Sequence, residues 1–278
     1  MSQPTVSTPR FNDEAATRAV RLSIRPTAGE RAAVVDRMRR YRFVFVTLGE
    51  ARGAAETLEF LAETFELGEP FVPEAYRSRR FDSPLSDIRK DASSAHPGFA
   101  TDAGQPMHVD GLLESLGTVR TSLLHCVRQA VTGGRTILFD ACGVFDRLRA
   151  EDPPAADALL AGDVLERFAT IPGVHESSVG PAFEVDESGR TLCRFSDGPT
   201  ERWHPGPGHE DDLERGLSVL RREAASDGPY RISVPLRPGE TLIFANDRLS
   251  HGREAFVDDP RNPRHLVRAL HTTPFPAA

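Results

Sequence analysis

Two histidines and one aspartate carry the strongest signal for chemistry in this sequence. His108 and Asp110 are separated by one residue, and alternate residues of a strand point to the same face. His251 follows the apolar segment 239–245 and is the candidate third ligand. Two histidines and one carboxylate leave about three positions open on an octahedral metal, as in non-haem Fe(II) oxygenases. The residues predict a site of this kind, and zinc with the same ligands is the alternative.

A second His-x-Asp pair, His209 and Asp211, has a structural interpretation. The spacing alone is weak evidence, because a chain of this composition produces such pairs by chance. His209 opens an acidic run before a predicted helix, where negative charge complements the helix dipole. His108 and Asp110 instead lie between an irregular segment and predicted core strands, a position where scaffolds often place ligands.

Two arginines near the C-terminal end are candidate anion-binding residues. Arg264 and Arg268 are four residues apart in a predicted strand, so both would lie on one face. A guanidinium group can bind a carboxylate through two hydrogen bonds. The alternative is an amphipathic strand whose arginines face water.

Taken in order, these residues resemble the TauD/TfdA branch of the Fe(II)/2-oxoglutarate-dependent dioxygenases, which includes the clavaminate synthase-like enzymes. The resemblance covers roughly residues 105–272, and the N-terminal strand–helix units show a weaker similarity. The motifs that carry it are His108-x-Asp110, Gly133-Gly134-x-Thr136, Asn246-Asp-Arg-x-x-His251-Gly-Arg253 and Arg264-x-x-x-Arg268.

The resemblance implies a cofactor and a reaction. His108, Asp110 and His251 would hold Fe(II), with 2-oxoglutarate as co-substrate and O2 as oxidant. Relatives that halogenate have Gly or Ala in place of the carboxylate, so the presence of Asp110 disfavours halogenation.

The resemblance also implies how 2-oxoglutarate is bound. Arg264 would bind its distal carboxylate, helped by the hydroxyl group of Thr136. Arg268 matches the second arginine of the family, which often faces an anionic group of the substrate. The segment 258–264 is rich in Pro and Asp, so its alignment to the family motif can shift by a few residues. Arg261 is therefore the alternative to Arg264.

The order of predicted elements favours a mainly β fold with peripheral helices. Thr27 and Glu30 form a capping-box pattern at the start of a helix that is predicted to end at Tyr41. Phe43–Leu48 is predicted to form a short apolar strand. The second half holds mostly short strands with turn signals, among them Arg253–Val257, which favours a sandwich or barrel over a βαβ sheet. The resemblance specifies a double-stranded β-helix, a cupin-like jelly roll. We predict a flexible arm over residues 1–16 and a single jelly-roll domain with helical inserts over residues 17–278.

Composition and missing motifs exclude several classes of protein. The 278 residues include 34 Lys and Arg against 41 Asp and Glu, and this net charge of −7 disfavours nucleic-acid binding. No apolar run approaches a membrane span, and no GxGxxG, P-loop or GxSxG motif occurs. Three widely spaced cysteines and the absence of a secretory signal indicate free thiols and a cytoplasmic protein.

We therefore predict a dioxygenase of secondary metabolism that hydroxylates a small anionic metabolite, such as an amino acid or a natural-product intermediate. Desaturation, ring closure, a carrier-tethered substrate and a homo-oligomer remain open. The alternatives are a cupin-like metalloenzyme that does not use 2-oxoglutarate and a non-catalytic jelly-roll binding module. The arginine-rich loop Tyr76–His96 and the loop Gly198–Gly208 with Trp203 are candidate lids.

Overall fold

The computed structural model describes residues 13–74, 83–90, 99, 101–169 and 175–276. Its helices are α1 (Glu14–Thr17), α2 (Ala28–Tyr41), α3 (Ala54–Thr64), α4 (Ala141–Glu151), α5 (Pro153–Leu160) and α6 (Glu210–Ala225). None of the helices in these ranges is long and apolar enough to span a membrane.

The strands are short, as the turn signals predict. They are β1 (Val20–Leu22), β2 (Phe43–Leu48), β3 (Leu85–Arg89), β4 (Gln105–His108), β5 (Thr121–Arg128), β6 (Thr132–Gly133), β7 (Thr136–Phe139), β8 (Leu165–Phe168), β9 (Ser177–Gly180), β10 (Phe183–Val185), β11 (Thr191–Cys193), β12 (Glu201–Trp203), β13 (Arg231–Val234), β14 (Glu240–Ala245), β15 (Ser250–Arg253), β16 (Phe256–Val257) and β17 (His265–His271).

Two sheets build the centre of the molecule. A six-stranded sheet has the order β1-β2-β14-β5-β17-β3, and a four-stranded sheet has the order β13-β7-β15-β4. Apolar side chains from both sheets, among them Phe45 and Phe244 from the first and Leu138 and Ile232 from the second, form one buried cluster. The sheets therefore pack face to face, which is the arrangement of the predicted jelly roll.

The period of two residues along a strand decides which side chains enter the space between the sheets. On β2, Phe43 and Phe45 face the other sheet, whereas Val44 and Val46 face the helices outside. On β17, Leu266 belongs to the inter-sheet cluster, and Val267 and Ala269 to the outer one. Arg268 shares the parity of Leu266, so the strand directs it inward; Arg264 precedes the strand and is also buried.

The helices cover the outside of the larger sheet and support an insert. Helix α2 begins at the predicted capping box, with Glu30 N–H donating to the Thr27 hydroxyl and Thr27 N–H donating to the Glu30 carboxylate. Helices α2 and α3 pack their apolar faces on the larger sheet. Helices α4 to α6 form a separate apolar cluster with strands β8, β10 and β11. This insert brings β8 and β12 beside the end of β4.

Three sequence predictions about elements need correction. The predicted arm ends earlier than residue 16, because residues 14–16 are helical and Ala16 is buried; residues 1–12 lie outside the described ranges. The predicted strand Arg253–Val257 is two strands, β15 and β16. The predicted loop Gly198–Gly208 contains strand β12, which pairs with β8. In the latter two cases the partner strand determines the boundaries.

Candidate metal centre and the cavities beside it

The three candidate metal ligands converge where strands β4 and β15 pair. His108, the last residue of β4, lies opposite His251 of β15, and the centroids of the two imidazole rings are 4.1 Å apart. Asp110 Oδ2 lies 3.7 Å from His251 Nε2. One ligand atom from each residue lies within 4.8 Å of the others, and no second group of this kind occurs in the described part of the chain. His251 thus lies within the short strand β15.

The carboxylate of Asp110 is fixed from several directions. Ser122 Oγ donates to its Oδ2 over 2.8 Å, and Arg268 Nη1 donates to its Oδ1. The Asp110 N–H donates to Asn246 Oδ1 over 2.9 Å. The Asn246 side-chain amide donates in turn to the carbonyl groups of Asp110 and Val119. The turn after β14 therefore positions a candidate ligand that lies far away in the sequence.

The electrostatics of the triad favour the protonation states that bind a metal. Burial lowers the pKa of His108, and burial together with neighbouring His108 lowers the pKa of His251 to about 3. For Asp110, burial favours the neutral acid, but the charge of Arg268, helped by the hydrogen bond from Ser122, outweighs it and holds the pKa well below its usual range. Neutral imidazoles and an ionised carboxylate are the ligand forms. The donor set thus fits a divalent metal ion such as Fe(II).

A small cavity joins the triad to the residues predicted to bind 2-oxoglutarate. Thr136, Arg264 and Arg268 line it together with His108, Asp110 and His251. Arg264 is 4% exposed, and its guanidinium lies 5.3 Å from the centre of the Phe256 ring. Burial, followed by the charge of Arg253, lowers the pKa of Arg264 to about 10, so the side chain is cationic at neutral pH. Arg261 is exposed, so only Arg264 of this pair reaches the cavity.

The two glycines of the Gly133-Gly134 motif allow the backbone to pass close to this arginine. Both have positive φ, at 72° and 67°. A Cβ atom on Gly133 would lie 2.2 Å from the Ala255 carbonyl oxygen, and one on Gly134 would lie 3.2 Å from Arg264 Nε. The motif therefore has a steric cause, since only glycine accepts this conformation and this approach without strain.

A second cavity, of about 260 Å³, opens on the other side of His108 and Asp110. Three buried arginines line it: Arg167, Arg253 and Arg268. Most of the other lining side chains are apolar or uncharged, among them Phe99, Gln105, Met107, Leu112, Pro199 and Thr200. Glu201 contributes a carboxylate. Sequence reasoning did not identify Arg167 or Arg253 as site residues. Arg253 could have been noticed beside His251, whereas Arg167 carries no motif.

The lid predictions have different outcomes. Residues 76–82 and 91–96 of the first predicted lid lie outside the described residues, and part of the remainder forms strand β3. In the second, Gly198 to Glu201 line the larger cavity, whereas Trp203 packs on Phe195 with ring centroids 6.0 Å apart.

The second His-x-Asp pair does not build a site with the triad. His209 is exposed at the start of α6, and its Nδ1 lies 3.1 Å from Asp212 Oδ2. The structural interpretation of this pair agrees with its place in the fold. The three cysteines are buried free thiols, as predicted.

Comparison with known proteins places this geometry in a family. The model of the taurine catabolism dioxygenase TauD, TfdA family matches residues 8–270. The chain belongs to this family. It is a non-haem iron dioxygenase that uses Fe(II), 2-oxoglutarate and O2.

Two similar relatives are uridine-5′-phosphate dioxygenases. One, from Amycolatopsis sp, is 42% identical over 241 residues, which are 86% of this chain and 87% of the relative. The other, from Streptomyces sp, is 48% identical over 215 residues, or 76% and 77% of the two chains. A crystal structure of an asparagine oxygenase with Fe(II), 3-hydroxyasparagine and succinate superimposes with a TM-score of 0.64. Its sequence is 19% identical, and the match covers 88% of this chain and 84% of that one. The predicted jelly-roll fold is confirmed.

Proposed function

We propose that this dioxygenase oxidises uridine 5′-phosphate or a closely related nucleoside monophosphate. The observation that carries the proposal is the identity of 42% and 48% to relatives named uridine-5′-phosphate dioxygenases, over most of each chain. A nucleoside monophosphate falls within the predicted class of small anionic metabolites. Relative to the sequence analysis, the proposal replaces an amino acid with a nucleotide.

The larger cavity supports a ligand with these properties. Its volume of about 260 Å³ is near the lower end of the range typical for small-molecule sites, roughly 300–1,000 Å³. The lining arginines outnumber the lining carboxylates, Asp110 and Glu201, before any metal charge is added. This excess of positive charge suits a phosphate group, and the apolar side chains suit a base or a sugar.

Each residue near the metal has a distinct task in this proposal. His108, Asp110 and His251 would hold Fe(II). When bound with 2-oxoglutarate, Fe(II) supplies an O2-dependent oxidation in which the keto acid is decarboxylated to succinate. Arg264 binds the distal carboxylate of the keto acid, and the Thr136 hydroxyl donates to the same group.

Arg268 has a different task from Arg264, because its Nη1 already donates to Asp110 Oδ1. It orients the carboxylate so that Oδ2, held by Ser122, faces His251. The buried position of Arg268 between the two cavities also places positive charge beside the substrate.

A substrate panel tests the proposal. The protein is incubated with Fe(II), ascorbate and 2-oxoglutarate, and succinate is measured with uridine 5′-phosphate, other nucleoside monophosphates, uridine, asparagine or arginine. We expect succinate above the substrate-free rate only with a nucleotide, together with an oxidised nucleotide or released phosphate by mass spectrometry. Equal succinate formation with an amino acid, or none with any nucleotide, would contradict the proposal.

A further inference from the structure

Arg167 is a buried cation that neither the metal triad nor the predicted 2-oxoglutarate site uses. It lies on β8, is 1% exposed and lines the larger cavity. Within the described residues it forms no ion pair within 4.0 Å, although Glu201 lies opposite it in the β8–β12 pairing. A buried charge without a bonded counter-ion is costly, so such a group is rarely retained without a partner.

The hydrogen bonds of Arg167 satisfy only part of its guanidinium. Its Nη2 donates to the Val109 carbonyl oxygen over 2.6 Å, and its buried Nε has no hydrogen-bond partner. Burial and the nearby charge of Arg194 lower its pKa to about 10, which leaves it cationic at neutral pH. Because Val109 lies between His108 and Asp110, the free donors are held beside the metal ligands.

The other two arginines that line this cavity already bond to other protein groups. Arg268 donates to Asp110. Arg253 Nη2 donates to the carbonyl oxygens of Thr101 and Ala103, and its guanidinium lies 5.0 Å from the centre of the Phe256 ring. Arg264 lines the smaller cavity but not the larger one. Arg167, with a single carbonyl acceptor, therefore has the fewest partners of the three arginines that line the larger cavity.

We propose that Arg167 binds the phosphate group of the substrate and thereby selects a nucleotide over the corresponding nucleoside. This inference rests on the proposed function. The guanidinium offers a fork of donors that matches phosphate oxygens, and the closed environment strengthens the attraction. The backbone bond to Val109 fixes the fork in place before the ligand arrives, so little side-chain entropy is lost on binding.

The test compares two ligands that differ only in the phosphate. Uridine 5′-phosphate and uridine are titrated calorimetrically, without oxygen, into wild-type protein and Arg167→Gln, each loaded with Fe(II) and 2-oxoglutarate. Gln removes the charge and retains a polar side chain of intermediate length. We expect Arg167→Gln to weaken binding of uridine 5′-phosphate by about 10- to 100-fold and to change uridine binding by less than about twofold.

Arg194→Gln is the matched control. Arg194 is also buried, lies near Arg167 and has a pKa lowered by burial, but it does not line the cavity. We expect this variant to retain the wild-type preference for the nucleotide. An equal loss of preference in both variants would assign the effect to the general field of buried charge and overturn the inference.

The remaining outcomes are also decisive. Equal weakening of both ligands in Arg167→Gln would show that Arg167 only positions the His108–Asp110 backbone. A wild-type protein that binds uridine as tightly as the nucleotide would overturn the inference and leave the proposed function to the turnover assay. Binding and turnover of neither ligand would overturn both. If Arg167→Gln does not fold, Arg167→Lys carries the test, with about tenfold weaker binding expected for the nucleotide alone.

Discussion

Asp110 shows how a single carboxylate is prepared for a metal. It is 6% exposed, and its two oxygens accept from Ser122 and Arg268. A buried carboxylate with a donor on each oxygen has a fixed orientation, so one lone pair of Oδ2 remains directed toward His251. The His-x-Asp spacing predicts the ligand, but the donors that orient it come from strands β5 and β17.

Asp110→Ala is expected to abolish Fe(II) binding and nucleotide-dependent succinate formation. The change removes a ligand and leaves buried Arg268 without its carboxylate partner. Ser122→Ala, which removes a single donor, is the control and should weaken Fe(II) binding by about 1 kcal/mol while turnover persists. Fe(II) binding by anaerobic titration and succinate formation are the measurements. Turnover retained by Asp110→Ala would contradict the assignment of the triad.

Arg264→Ala is expected to raise the apparent KM for 2-oxoglutarate far more than that for the substrate, by the equivalent of about 2–4 kcal/mol. The cause is the loss of a buried guanidinium that would pair with a carboxylate. Arg261→Ala is the matched control, because Arg261 is exposed three residues away. Steady-state kinetics with each substrate varied in turn gives the result. A larger effect from Arg261→Ala would reverse the assignment.

At the scale of elements, strands β5 and β17 supply the inward-facing polar groups of the site. Ser122 shares the inward parity of Leu124 on β5, and Arg268 shares that of Leu266 on β17. These positions are otherwise apolar, so the polar residues interrupt the core only where the cavity lies. The loop with Gly133 and Gly134 then closes the far end of the smaller cavity around Arg264.

Gly134→Ala is expected to impair 2-oxoglutarate binding selectively. Its φ of 67° would cost an alanine roughly 1–2 kcal/mol, and the new methyl group would push against Arg264. We expect a higher KM for 2-oxoglutarate and a lower melting temperature. Gly189→Ala also places alanine at positive φ, at 78°, but in the open turn between β10 and β11, and it should lower stability alone. Unchanged kinetics in Gly134→Ala would contradict this account.

Helix α2 gives a pH-dependent prediction that is independent of the site. The backbone N–H groups of Thr27 and Ser23 lower the pKa of Glu30 to about 2, from an ordinary value of 4.5. Because the folded-state pKa is depressed, this stabilisation is present above pH 4.5 and is lost as the pH falls toward 2. Glu30→Gln should therefore flatten the dependence of unfolding free energy on pH in that window. Thr27→Ala should lower the free energy of unfolding by about 1 kcal/mol at neutral pH. Denaturant titrations measure both effects.

Local signals explain what could be predicted at this scale. Helix α2 and strand β2 have the predicted bounds because a capping box and an apolar run are encoded within a few residues. Strands β3, β4 and β12 were not predicted, because each is short and is defined by its partner strand. Arg167 was missed for the same reason, since only the insert that carries β8 brings it to Val109.

At the scale of the whole molecule, the net charge of −7 contrasts with the positive charge buried around the metal triad. Arg167, Arg253, Arg264 and Arg268 are all buried around the triad. The overall charge was sufficient to disfavour nucleic acid as a partner, but only the fold shows that buried cations surround the metal ligands. This distribution supports two anionic ligands at once, a keto acid in the smaller cavity and a phosphate ester in the larger one.

The most direct measurement is the visible absorption of the protein with Fe(II) and 2-oxoglutarate in the absence of oxygen. We expect a weak charge-transfer band in the wild type, no band in Asp110→Ala, and a saturable change of the band when uridine 5′-phosphate is added. A band that uridine 5′-phosphate leaves unchanged at every concentration, or that Asp110→Ala retains, would contradict a nucleotide-binding cavity beside this iron site.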